Sequence, residues 1–381
     1  MNGGKPEMSF SRAVWAEIDR RAIVHNVAEV KKKSGGQDII AVVKANAYGH
    51  GLEGTSIALR DAGIREFAVA SLGEGLELRK AIGSRGGKIL ILGYSLPSHA
   101  DEVIESGFCQ TVISAHEIRA LALAARKLGK PAKVQIKIDT GMHRLGVPMG
   151  DFSRLTDALH HFPEVKLEGI YTHYGSSDEP ENPVTKIQFT NFKKTIEQFK
   201  FPKRVKLHAS NSAAVVNFPS LKLDLVRVGI ALYGEYASNS VPRKFDLIPA
   251  LSLKSRIAEI KTLNTGHTAG YNGRFMNASN QPCRLGILPV GYADGFLRHS
   301  SGVREVLVRG RRCRVVGAVS MDFTHILLPD DLSIGVGEPV TLIGTDNDDR
   351  ITASEIAAAL GTIPYEILCL IPSRIPRKYP D

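Results

Sequence analysis

The chain has 381 residues, 43% of them hydrophobic, and a formal net charge of +10. That is enough material for one large domain with a smaller one, which excludes a disulfide-held miniprotein and an unfolded polar chain. No run of about 18 apolar residues suggests a helical membrane span, and Met1–Arg12 has no apolar core of the kind an export signal needs.

In chain order, the first element is "AVWAEID", a strand pattern within residues 10–19 that stands apart from the later runs. Short β-branched runs then recur at residues 39–43, 66–71, 88–93, 110–114, 133–139, 166–173, 205–210 and 225–230. Helical periodicity lies between them, as in "AHEIRALALAARKLG", where Ile118, Leu121, Ala125 and Leu128 share one face. Near-continuous apolar strands alternating with helices imply a parallel sheet covered on both faces. Eight such units are the count of a (β/α)8 barrel of TIM type, expected over residues 1–242. From residue 243 to 381 the texture changes to strands with short turns, a β-rich second domain. Thr352-Ala-Ser-Glu355 signals a capped helix there, and residues 10–19 are free to pair with this domain instead of the barrel. The fold class is therefore α/β, a barrel followed by a β-domain.

Cys109, Cys283, Cys313 and Cys369 are far apart and form no CxxC pair, so they read as reduced packing residues with no metal site. A cytoplasmic location follows as the default. Basic residues cluster in "VRGRRCRVV" and "SRIPRKYP", without interleaved aromatics, and read as a solvated surface and not as a nucleic-acid interface. The surplus positive charge would also draw in an anionic cofactor or a carboxylate substrate.

Active sites of such barrels gather at the C-terminal ends of the strands. Strand one leads to Lys44, strand five carries Lys137 and leads to Arg144, and strand six ends at His173. Strand seven leads into "ASNSAA", and strand eight holds Arg227 before Gly229-Ile230. Each alone has a dull explanation, a lysine reaching the rim or a structural histidine. Their convergence on one face does not. A lysine in a desolvated pocket can form a Schiff base, so Lys44 is the candidate. Ser212 at a helix start and Gly229-Ile230 suit a phosphate, and Tyr48 adds a phenolic hydrogen bond. Together these describe pyridoxal 5′-phosphate.

The segments "AVVKANAYGHG", "KIDTGMHRLG", "LEGIYTH", "HASNSAA", "VRVGIALYG", "GYNGR", "LPVGYADGF", "VSMD" and "PYEIL" resemble the motifs of bacterial alanine racemases, in order and over nearly the whole chain. The resemblance implies an isomerase that interconverts L- and D-alanine by a two-base mechanism on a pyridoxal-phosphate aldimine and supplies D-alanine for peptidoglycan. It implies a homodimer with shared active sites. Lys44 would hold the cofactor, and Tyr48, Ser212, Gly229 and Ile230 would bind its phosphate with Tyr365 nearby. Arg227 would face the pyridine nitrogen, leaving it unprotonated because a guanidinium keeps its proton. Lys44 and Tyr271 would be the two bases, with His173 linking toward Arg227. Arg144 would contact the cofactor phenolic oxygen and the substrate, and Met321 the substrate carboxylate. Lys137 would carry a carbamate; an unmodified lysine paired with a carboxylate is the other reading. Ala318, where many relatives have arginine, and Asn272, between Tyr271 and Gly273, depart from the pattern. A serine/alanine racemase of broader specificity is the alternative. A barrel-type basic amino-acid decarboxylase fits less well, because it would place a carboxylate where Arg227 stands.

Overall fold

The computed structural model describes residues 12–380, so the reading of residues 1–11 as free of an export signal lies outside it. Contacts divide the chain into two units: Arg21–Ile248, and the described residues up to Arg20 together with those from Pro249 onward. The division falls a few residues beyond 242/243 for a local reason. Asn26, buried on the first helix, donates to the Ile248 carbonyl at 2.8 Å and accepts the Ile248 N–H at 2.9 Å, which ties residues 243–248 to the barrel.

In the first unit, eight parallel strands close on themselves: Asp38–Val42, Glu66–Val69, Lys88–Ile91, Cys109–Val112, Ala132–Asp139, Val165–Tyr171, Lys206–His208 and Leu225–Val228. The last returns to the first, with Arg227 beside Ile40. Except for the fifth, the strands stop one or two residues before the apolar runs do, so Lys44 and His173 lie just beyond the ends of strands one and six. Helix Ala115–Leu128 buries Ile118, Leu121 and Ala125 as its periodicity requires. Ser114 and Glu117 form a reciprocal capping box at its start, and Gly129 closes it at φ 62°.

The second unit is a twisted, mostly antiparallel sheet. Its strand order is Glu259–Leu263, Cys283–Leu288, Thr324–Leu328, Arg311–Val316, Glu305–Val308, Pro339–Asp346, Leu251–Arg256, Val14–Ile18, Arg377–Lys378. Strand Val14–Ile18 runs antiparallel to Leu251–Arg256, pairing Ala16 with Leu253. Thr352 caps helix Ala353–Leu360 by accepting the Glu355 N–H at 3.0 Å, while the Glu355 carboxylate accepts from Arg312. Several arginines of the basic runs find acidic partners within the fold. Arg309 pairs with Glu338, Arg311 with Asp331, and Arg312 with Glu305, Asp349 and Glu355. Arg374 bridges Asp294 and Asp322. Among the described residues no helix is long and apolar enough to cross a membrane, and no group of three or more His, Cys, Asp or Glu is placed to hold a metal ion.

Candidate active site

Strand one ends in a backbone device. Ala45, Asn46, Ala47 and Tyr48 follow Lys44 with φ of 51°, 54°, 52° and 52°, a full turn of left-handed helix without glycine. Such backbone costs L-residues roughly 1–2 kcal/mol each, or about 4–8 kcal/mol here. The sequence keeps the strain bearable with two alanines and an asparagine, and no β-branched side chain. Hydrogen bonds hold the turn: Ala47 N–H to Val43 O at 2.9 Å, Gly51 N–H to Asn46 O at 3.0 Å, and Leu52 N–H to Asn46 Oδ1 at 2.7 Å. Strain of this kind, over-determined by its surroundings, is a mark of functional backbone.

The turn delivers Tyr48 to strand eight. A Cβ added to Gly229 would lie 2.6 Å from Tyr48 Oη, so only glycine leaves this cradle open. Tyr233 packs beside Tyr48 at 5.0 Å between ring centroids and is anchored by its own hydroxyl to Val42 O at 2.7 Å. From the other side, Ser212 Oγ accepts the N–H groups of Gly229 and Ala231 at 3.3 and 3.4 Å. Asn211 caps the helix that Ser212 begins by accepting the Ala214 N–H at 3.0 Å. Ile230 is buried beside them. Two hydroxyls and several backbone N–H groups around a glycine gap fit a phosphate ester.

Next to the cradle a polar stack fills the barrel mouth. Arg227 is only 4% exposed and donates to Thr172 O at 2.7 Å, Ala209 O at 3.0 Å, His208 Nδ1 at 2.5 Å and His173 Nδ1 at 3.2 Å. Guanidinium has donors only, so both histidines accept at Nδ1 and carry their proton on Nε2. His208 then donates from Nε2 to Gln135 Oε1 at 2.8 Å. Burial, and then the Arg227 charge, hold both histidines neutral, well below the usual histidine range. Burial also lowers Arg227 to about 10, which leaves it charged at neutral pH. Tyr171 forms the floor of the stack. Its ring is parallel to His208 within 7° and lies 4.7 Å beneath the Arg227 guanidinium. Its hydroxyl is bonded to Thr111 at 2.9 Å.

Lys137 enters the same region, 7% exposed, with Nζ 6.0 Å from the Tyr171 ring. Burial, then Arg144 and Arg227, lower its pKa to about 8. Among the described residues no carboxylate forms an ion pair with Lys137. Asp139 is taken up by the N–H groups of Gly141, Met142 and His143, which shape the loop that carries the exposed Arg144.

Tyr271, Met321 and Tyr365 belong to the second unit. Tyr271 tops a hairpin made by Thr268–Ala269 and Phe275–Met276, flanked by Gly270 at φ 76° and Asn272 at φ 59°. Asn272 thus supplies the left-handed residue that the turn needs, which asparagine tolerates. Gly270 packs on the backbone of buried Ala318, where a Cβ would approach to 2.9 Å. Tyr271 is 63% exposed and Met321 54% exposed, with Tyr292, Phe323 and Ile363 also open. The Tyr292 and Ala293 N–H groups bond to Ser320 O and Met321 O at 3.0 and 3.1 Å, and Gly291 has no room for a Cβ against the same two carbonyls. Tyr365 is half-buried.

The sequence pattern points to Lys44, Tyr48, Lys137, Arg144, His173, Ser212, Arg227, Gly229 and Ile230, and the structure gathers these at the C-terminal end of one barrel. It does not single out Gln135, Tyr171 and His208. The signal is there: they are buried polar or aromatic residues on barrel strands, and Gln135 lies two residues from Lys137 on one face.

Residues 18–237 match the family model described as the alanine racemase N-terminal domain, and residues 250–379 match the alanine racemase C-terminal domain. An alanine racemase of Symbiobacterium thermophilum is 38% identical over 375 residues, covering 98% of each chain. The solved alanine racemase of Clostridium difficile superposes with a TM-score of 0.91 at 34% identity, over 98% of this chain and 97% of that one. That of Bartonella henselae, described with covalently bound pyridoxal phosphate, gives 0.86 at 28% identity, over 97% and 99%.

Proposed function

The chain belongs to the alanine racemase family, pyridoxal-phosphate-dependent isomerases that interconvert L- and D-alanine, and from that premise we propose how its own residues divide the work. The polar stack around Arg227, beside the glycine cradle, carries the reading. Lys44 would hold the cofactor covalently, Tyr48, Ser212, Gly229 and Ile230 would bind its phosphate with Tyr365, and Arg227 would serve the ring nitrogen. When bound, pyridoxal phosphate would take the alanine nitrogen in exchange for that of Lys44, which is released as a free amine, and would withdraw electrons from the alanine Cα.

Proton transfer then falls to two side chains on opposite faces. Tyr271 removes the α-proton of L-alanine and Lys44 returns one from the other side; for D-alanine the roles exchange. His173, fixed as the Nε2–H tautomer by Arg227, would present a donor that steadies the deprotonated Tyr271 oxygen before it takes the α-proton. Arg144 would meet the cofactor phenolic oxygen and the substrate, and Met321 would offer its backbone to the substrate carboxylate. Lys137 carries a carbamate. Its lowered pKa supplies the neutral amine that attacks carbon dioxide, forming the N–C bond and releasing one proton to solvent, and the product pairs with Arg144.

The large exposed side chains around Tyr271 and Met321 support a homodimer in which each site draws on both subunits. Four cysteines that form no disulfide suit a cytoplasmic enzyme feeding peptidoglycan assembly. The experiment is complementation. Inactive Lys44→Ala and Tyr271→Ala chains, mixed under conditions shown to exchange subunits, recover racemisation of L-alanine because one site per mixed dimer is intact. No recovery after confirmed exchange rejects the shared site, and borohydride trapping on a lysine other than Lys44 rejects the cofactor assignment.

A further inference from the structure

One carboxylate that the mechanism does not use touches the turn that carries Lys44. Glu74 lies in the first turn of helix Leu72–Ile82, directly after barrel strand two. Its Oε1 accepts the Ala45 N–H at 2.8 Å, and its Oε2 accepts the Ala70 N–H at 2.7 Å. Ala70 follows strand Glu66–Val69, so a single side chain ties together the backbone just beyond strands one and two. Ser71 sets the helix start by accepting the Glu74 N–H at 3.3 Å.

The first N–H of a helical turn, whatever its hand, has no carbonyl within the turn to meet. Ala45 is exposed and half-buried Glu74 supplies that partner from outside. We propose that Glu74 is a positioning residue for the cofactor lysine: by holding the Ala45 N–H it selects the left-handed turn, which sets both the direction in which Lys44 leaves the backbone and the place of Tyr48. The inference rests on the reading of Lys44 as that lysine. Both carboxylate oxygens are occupied by amide protons. Glutamine, with one acceptor oxygen and an NH2 that would face an N–H, serves only one of them.

The test compares Glu74→Gln with Ser71→Ala, which weakens the same helix start without touching Ala45. In Glu74→Gln without cofactor, amide hydrogen exchange over Ala45–Tyr48 speeds up about tenfold, as loss of one charge-assisted bond implies. In the holoenzyme the pyridoxal phosphate dissociation constant rises about tenfold and kcat falls while KM for alanine changes little. Ser71→Ala, at a similar loss of Tm, keeps wild-type values for exchange, cofactor affinity and kcat. Equal losses in the two variants would reduce Glu74 to a support of its helix and overturn the inference, as would wild-type exchange at Ala45 in Glu74→Gln. Faster exchange together with borohydride trapping on a different lysine would overturn the assignment of Lys44 and leave the brace in place.

Discussion

Lys44 and Tyr271 both adjoin backbone in the left-handed region, but the two segments reach it by opposite means. After Lys44, alanines and a tyrosine are forced there, with Ala47 and Tyr48 buried and the turn held by bonds to Val43, Asn46 and Glu74. Around Tyr271 the same φ values fall on Gly270, Asn272 and Gly273 in an exposed hairpin. Strained backbone survives where neighbours over-determine it; an open hairpin uses residues that need no such support. The side chains follow the same division. Arg227 and the two histidines it bonds lie deep in the barrel mouth and are matched to partners, whereas Tyr271 and Met321 are exposed.

The sharpest test of this division is Tyr271→Phe. An exposed phenol should be dispensable for folding, leaving Tm within about 1 °C of wild type, while exchange of the L-alanine α-proton falls by about a thousandfold. Exchange from D-alanine, which depends on Lys44, should persist in deuterated water. Equal residual exchange from both enantiomers would assign both faces to one base.

Lys137 should behave in the opposite way, its effect appearing in stability. Its folded pKa of about 8 lies below the ordinary 10.5, so between those values the unfolded chain binds the extra proton. Stability of the carbon-dioxide-free protein therefore rises as pH climbs from about 8 to 10.5, by about 3 kcal/mol, and is lowest below that window. Denaturant titrations of Lys137→Met should lack this slope. A slope shared by both proteins would mean that Lys137 keeps an ordinary pKa.

Gly229→Ala probes the cradle. With a Cβ 2.6 Å from Tyr48 Oη, the tyrosine must move, and cofactor affinity should fall by about tenfold in an equilibrium titration. Unchanged affinity would remove Tyr48 from the phosphate site. Asn272→Ala should have the smallest effect, about 1 kcal/mol of stability by calorimetry with kcat within threefold, because alanine tolerates φ 59° less well than asparagine. A larger loss of kcat would show that the hairpin is tuned as tightly as the barrel turn.

The barrel is legible because burial on both faces writes continuous β-branched runs into the chain, and Arg227 and Lys137 stand out as charges inside them. The left-handed turn is not legible. "KANAY" has good right-handed helix formers, and its hand is imposed by hydrogen bonds from residues as distant as Glu74. The partners of the basic run "VRGRRCRVV" are not legible either: its arginines are exposed, as a solvated surface requires, but Arg312 meets Glu305, Asp349 and Glu355 only after the sheet has formed. Half of the Thr352 capping box appears, because the Glu355 carboxylate goes to that arginine.

The stack centred on Arg227 also decides where protons cannot travel. A proton wire needs every member to accept on one side and release on the other, and guanidinium accepts on neither. Arg227 therefore acts as an insulator between His173 and His208, and each histidine can exchange protons only through its own Nε2. No proton passes along this stack from one histidine to the other.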